Sequence, residues 1–204
     1  MTLSREQLEA HWMPYTGNRQ FKDNPRLMAS AKGAYYTDIN GKEIFDGLSG
    51  LWTCGLGHGR DEITAAVSSQ MTKLDYSPGF QYGHELSFEL ANKVVELTPS
   101  KLDHVFFTDS GSETIDTALK MARGYWRSKG QPGKSKFIGR MKGYHGVNYG
   151  GVGVGGIGFN RKLFGQSVDA DHIGDTLLEE NKFSRGMPLA GAHLADELEE
   201  LVLL

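Results

Sequence analysis

The sequence predicts an α/β fold with a mainly parallel sheet, preceded by an aromatic-rich N-terminal arm and a β-hairpin. Three observations predict it. Runs with helical period alternate with short apolar runs along most of the chain. Asn40-Gly41, the strongest short-range hairpin signal, separates two apolar pairs. The stretch "HVFFTDSGSETIDTALKMARGYW" passes from an apolar run through a small-residue turn into an amphipathic run, as a strand-to-helix junction does.

Taken in order, residues 1–30 read as polar and irregular, with "HWMPYTGNRQF" too aromatic for a solvated tail and so an arm lying on another surface. Tyr35-Tyr36 and Ile44-Phe45 flank the hairpin turn. Ile63, Ala66, Val67, Gln70-Met71 and Leu74 outline a helix opened by the acidic pair Asp61-Glu62. Residues 84–97 outline another, with Leu86, Leu90, Val94 and Leu97 on one side and Pro99 just past its end. Val105-Phe106-Phe107, β-branched and aromatic, reads as a buried strand closed by Thr108-Asp109. From Glu113 the period becomes helical: Ile115, Ala118, Leu119, Ala122, Tyr125 and Trp126 share a stripe, with Lys120, Arg123 and Arg127 largely off it. After "SKGQPGKSK", Lys136-Phe137-Ile138 reads as a second short strand. "YGGVGVGGIG" reads as a flexible, close-packed loop, and Asp169 and Asp171 fall in a polar stretch. "LADELEELVLL" is an amphipathic helix with Leu194, Leu198, Leu201 and Val202 on one face.

Composition narrows the function classes. With 204 residues, 39% hydrophobic and 23% charged, the chain can bury a core. No apolar run approaches the roughly 18 residues of a membrane span, and "MTLSREQLEAHW" lacks the regions of a signal peptide. A single cysteine, Cys54, leaves no internal disulfide framework, and the expected compartment is the cytoplasm. A net charge of −3 without a basic block gives no footprint for nucleic acid. The seven histidines form no metal-ligating pattern, so no metal is expected.

The chemistry concentrates in two turns. Asp109-Ser110-Gly111-Ser112 lies where a helix begins, and a helix N-terminus offers unpaired N–H groups and partial positive charge to an anion such as a phosphate. Ser110 or Ser112 acting simply as a helix cap accounts for the same residues. Gly151, Gly153 and Gly156 match G-x-G-x-x-G, but the residues that follow have no long helical period and Asp169 and Asp171 do not end a strand, as a dinucleotide fingerprint requires. In "GYHG", Tyr144 and His145 are bracketed by Gly143 and Gly146 just after the second strand. They form either a flat face for a planar ring or a tight turn with a packed tyrosine. A parallel sheet brings both turns to the same carboxyl edge, one suited to a phosphate and the other to a ring.

That combination resembles the pyridoxal-phosphate site of class III aminotransferases. The similarity in order and spacing runs from "HWMPYT" through "DGLSGLWTCGLGHGRDEI", "LDYSPGFQYGHELSFELANKV" and "YHGVN" to "GGIGFNRKLFG" and "FSRG". "SGLWTCGLGHGR" and "LDYSPGFQYGH" resemble the branch that acts on omega-amino acids such as β-alanine with pyruvate. The resemblance implies the fold type I, aspartate aminotransferase-like architecture of pyridoxal 5'-phosphate enzymes. Residues 1–55 would be the arm and hairpin segment, part of the small domain, and residues 56–204 the first part of the large cofactor-binding domain. It implies that Ser110, Gly111 and Ser112 hold the cofactor phosphate, that Tyr144 stacks on its ring and that His145 flanks it. Trp52 and Tyr15 would wall the substrate pocket, and Phe80 or Tyr82 would reach the neighbouring subunit's site in a homodimer or higher oligomer. An amine donor and a keto-acid acceptor would be the small-molecule partners. The Schiff-base lysine and the carboxylate facing the pyridine nitrogen are expected after residue 204, so the chain by itself is expected to be inactive. A non-catalytic relative that binds phosphate ligands, or pairs with a longer subunit, is the alternative.

Overall fold

The computed structural model describes residues 3–203, which divide into two units, one up to Leu90 and the other from Ala91. In the first, Ser4 opens helix α1 (Arg5–Glu9) with a capping box closed by Gln7. Helix α2 (Asn18–Asp23) is tied to it by Arg5 Nε donating to Asp23 at 3.1 Å. Lys22 is buried and its ammonium donates to the Glu9 carbonyl at 2.7 Å. Strands β1 (Met28–Lys32), β2 (Tyr35–Asp38) and β3 (Glu43–Phe45) form an antiparallel sheet in that order, with Ala31 opposite Tyr36 and Tyr36 opposite Ile44. The first thirty residues are therefore more regular than expected: two helices and a strand, built from a cap and an ion pair rather than from any apolar period.

The hairpin turn is where the sequence puts it. Asp38 Oδ1 accepts from the Asn40 and Lys42 N–H groups at 2.8 and 2.9 Å, and these bonds hold its carboxyl below the usual carboxylate range. The four-residue turn α3 (Ser49–Trp52) follows, then helix α4 (Asp61–Lys73), opening on the expected acidic pair. Helix α5 (Glu85–Leu97) runs across the boundary between the units.

In the second unit, helix α6 (Gly111–Ser128) carries the expected stripe. Strands β4 (Phe137–Arg140) and β5 (Ala170–Ile173) pair in parallel, Phe137 opposite Ala170 and Arg140 opposite Ile173. Strand β5 falls in the stretch expected to be merely polar. Its Asp171 is neutralised by Lys136 at 2.8 Å while Ala170 is buried, so polarity and strand coexist. Val105–Phe107, by contrast, is not a strand: it makes no ladder pairing among the described residues, and Phe106 is 65% exposed. Strand composition without a partner strand does not make a ladder.

Between β4 and β5 lie helices α7 (Tyr149–Val154) and α8 (Gly158–Phe164). The glycine run is thus a buried helix rather than a flexible loop, and Val152, Val154 and Ala170 are the buried apolar residues of the unit. Gly139 of β4 lets α7 approach, because a methyl there would overlap the Val154 carbonyl oxygen. Short 3-10 turns (Glu179–Asn181 and Ala192–Ala195) lead to helix α9 (Asp196–Leu203), whose Glu197 carboxylate accepts from the Gly174 N–H just after β5. Among the described residues no helix is long and apolar enough to cross a membrane.

Candidate functional site

The two turns meet within the second unit. Ser110 adopts an extended conformation and its Oγ accepts from the Glu113 N–H at 3.1 Å, so the capping role is realised. Glu113 Oε2 in turn accepts from the Asp109 N–H at 2.9 Å. These bonds leave the Gly111 and Ser112 N–H groups at the helix start without an acceptor among the described residues. A Cβ on Gly111 would meet open space. Capping and anion binding are therefore compatible: the cap orders the first turn, and its free N–H groups point a positive end outward.

Ser112 links this turn to the other. Its Oγ accepts from the Val147 N–H at 3.0 Å, which leaves the hydroxyl proton to donate elsewhere. Gly146 sits against it with φ +98, and a Cβ at Gly146 would come within 2.7 Å of Ser112 Cα and Oγ. Only glycine combines that backbone angle with that approach. One helical turn on, Asp116 Oδ1 accepts from the Gly151 N–H at 3.0 Å and draws the start of α7 onto the same face of α6. The Gly156 N–H donates to the Gly143 carbonyl at 2.7 Å, closing the other side of the "GYHG" loop. The glycines of α7 follow from this packing, since a side chain at Gly151 would strike the His145 carbonyl and one at Gly153 the Val168 side chain.

Tyr144 and His145 border a small hollow shared with Gly146, Gly151, Val152 and Asn160. Tyr144 is 59% exposed, so its ring has a free face. Lys142, the lysine nearest this loop in sequence, is engaged with Asp175 at 2.8 Å and holds that carboxyl below its usual range. The residues present fit a phosphorylated planar ligand: two free N–H groups and a hydroxyl from α6, and an aromatic face on the adjoining loop.

The remaining expected site residues lie in the first unit. Tyr15, Trp52, Phe80 and Tyr82 are all more than 70% exposed, and no ring pair among the described residues joins any two of them. Trp52 stands at the end of a turn wound left-handed, with φ of 49, 60, 68 and 66 at Ser49, Gly50, Leu51 and Trp52. For residues with a Cβ this winding costs roughly 1–2 kcal/mol each, so something must hold it. Asp46 does: Oδ2 accepts from the Gly50 N–H at 2.7 Å and Oδ1 from the Leu48 N–H at 3.2 Å. His58 Nε2 donates to the same Oδ2 at 2.7 Å, and its ring packs against Tyr36 at a 50° tilt with centroids 4.6 Å apart.

Glu113, Asp116, Asp46 and His58 escape a reading by motif. Ser110-x-x-Glu113 is the spacing of a capping box and was a usable signal, and Asp116 follows Ser112 by one helical turn. No comparable signal marks Asp46 or His58, which act on main-chain groups and on each other.

Comparisons with known proteins agree with this architecture. The family model described as "Aminotransferase class-III" matches residues 16–197. An omega-amino acid–pyruvate aminotransferase of Pseudomonas putida is 59% identical over 203 residues, covering 98% of this chain and 45% of the relative. A β-alanine–pyruvate aminotransferase of Pseudomonas aeruginosa is 56% identical over 198 residues, covering 97% of this chain and 44% of the relative. The chain thus spans a little under half the length of these relatives. Among solved structures, an amine transaminase from an uncultivated Pseudomonas species in its PLP-bound form superposes with a TM-score of 0.85 at 34% identity, covering 96% of this chain and 45% of that one. A thermostable omega transaminase six-fold mutant from Pseudomonas jessenii superposes with a TM-score of 0.87 at 31% identity, covering 100% and 46%. With nearly its whole length matched by the family model and by these relatives, the chain belongs to the class III aminotransferases.

Proposed function

We propose that this chain is part of a pyridoxal 5'-phosphate-dependent transaminase that moves an amino group from an omega-amino acid or amine, such as β-alanine, to pyruvate. The observation that carries the reading is the contact of Gly146 with Ser112, which seats an aromatic loop beside free helix N–H groups. The names of the relatives supply the substrate class. In this reading Gly111 and Ser112 donate main-chain N–H groups to the cofactor phosphate, the Ser112 hydroxyl adds a third donor, and Ser110 orders the turn as its cap. Tyr144 stacks on the ring and His145 flanks it. The cofactor, when bound, supplies the electron sink that lets the amino group and a proton leave the donor carbon. Trp52 and Tyr15 wall the amine pocket and exclude water from it, while Phe80 or Tyr82 completes the neighbouring subunit's site in a homodimer or higher oligomer. Residues 1–55 then contribute to the small domain and 56–204 to the large one, in a cytoplasmic enzyme.

In this reading the lysine that would hold the cofactor and move the proton lies outside these 204 residues. Such a lysine needs fixed geometry and a lowered pKa, and Lys142 is instead committed to Asp175. The test is alanine formation from β-alanine and pyruvate with added cofactor, measured on the intact protein and on the 204-residue chain, with borohydride trapping and peptide mapping. Turnover is expected only in the first. No turnover by the intact protein overturns the activity, and a trapped label on one lysine of the chain overturns the assignment of the lysine.

A further inference from the structure

We propose that Asp46, held in place by His58, is the positioning residue for the Trp52 turn and thereby sets which amine donors are accepted. The second clause rests on the reading of Trp52 as a pocket wall; the first stands on geometry alone. Asp46 directly follows β3, and its own N–H donates to the Ala34 carbonyl at 2.9 Å, so its backbone is fixed by the hairpin. His58 is fixed at the opposite end, exchanging main-chain hydrogen bonds with Gly33 at 2.8 and 3.0 Å. Between these two anchors the Asp46 side chain is 7% exposed and that of His58 13%, whereas Trp52 is 82% exposed. Both carboxylate oxygens are used, and two of the three donors they accept belong to the main chain of residues 48–50.

The arrangement has the form of a clamp. A left-handed run through Ser49, Leu51 and Trp52 persists only where its surroundings over-determine it. The carboxylate accepts from the Leu48 N–H just before the run and from the Gly50 N–H within it, and the Trp52 N–H returns to the Leu48 carbonyl at 2.8 Å. Releasing the carboxylate lets the turn relax toward right-handed or extended backbone, which redirects the indole without touching it. An asparagine at position 46 presents an amide N–H to a donor and so cannot replace both oxygens. A glutamine at position 58 still offers an N–H donor.

Amide hydrogen exchange on the intact protein tests the clamp, and donor selectivity tests its consequence. In Asp46→Asn, exchange across residues 48–53 is expected to accelerate about tenfold or more while the amides of β2 and β3 keep their rates. The ratio of kcat/KM for β-alanine to that for 1-phenylethylamine is expected to shift about tenfold, and to show no further shift when Asp46→Asn is added to Trp52→Ala. His58→Gln is expected to keep near-native exchange and His58→Leu to resemble Asp46→Asn; this pair serves if Asp46→Asn does not fold. Unchanged exchange across 48–53, or equal acceleration in β2 and β3, overturns the clamp. A donor ratio that Trp52→Ala leaves unchanged, with exchange responding as expected, overturns the pocket-wall reading and leaves the clamp standing.

Discussion

Gly111 is the residue whose replacement separates folding from binding. It occupies the first helical position of α6 with open space where a side chain would stand, so Gly111→Asp fits, and a carboxylate there favours the helix through its dipole. The same charge opposes a phosphate. Thermal stability is expected to hold or rise in Gly111→Asp while affinity for pyridoxal 5'-phosphate falls by about 1.5–3 kcal/mol, the scale of a lost charge-assisted hydrogen bond. Cofactor titration followed by absorbance checks it, and unchanged affinity would exclude this turn as the phosphate site. Tyr144 offers a second separation. Tyr144→Phe is expected to keep most of the affinity and Tyr144→Ala to lose about 0.5–1.5 kcal/mol beyond the area term, because the contact is made by the ring face. Equal losses in the two variants would assign the contribution to the hydroxyl.

Among the elements, the turn α3 is expected to depend on pH. The hydrogen bond from His58 holds the Asp46 carboxyl below its ordinary value of 3.8, with the Gly50 and Leu48 N–H groups adding to it and burial opposing them. Because the folded value lies below the unfolded one, the unfolded chain takes up this proton first as pH falls. The stabilisation is therefore complete above the unfolded value and is lost as pH drops through the folded one, below about pH 4. Denaturant melts of the wild type and Asp46→Asn across pH 3–6 are expected to converge at the acid end; parallel curves would show that the carboxyl contributes no linked proton. The elements also differ in how far the sequence reveals them. Helices α4, α5 and α6 announce themselves by period and the hairpin by Asn40-Gly41, and the two turns at Ser110–Ser112 and Gly143–Gly146 by their small residues. Strand β1, "MASAK", has no alternation and takes its conformation from pairing with β2, while β5 hides behind two aspartates that Lys136 meets. The glycines of α7 resemble a loop because the packing that makes them necessary is tertiary, and tertiary contact leaves no local signature. Asp46 is silent for the same reason: its carboxylate bonds to main-chain N–H groups that any sequence would supply.

For the molecule as a whole, the relatives reported above are chains more than twice as long as this one. The two sheets also impose an order of events in time. Strands β1, β2 and β3 follow one another with connections of a few residues, so each pairing closes a short loop. The pairing of Phe137 with Ala170 must wait for the intervening stretch to fold back, and α7 cannot pack on β4 until Gly139 and the Val154 carbonyl are in register. Pulsed amide labelling during refolding of the intact protein is expected to protect Tyr36 and Thr37 before Ile138 and His172; simultaneous protection would tie both sheets to a single cooperative event. If the order holds, the loop that follows β4, proposed to carry the aromatic face at Tyr144, takes its place only after the hairpin sheet has closed.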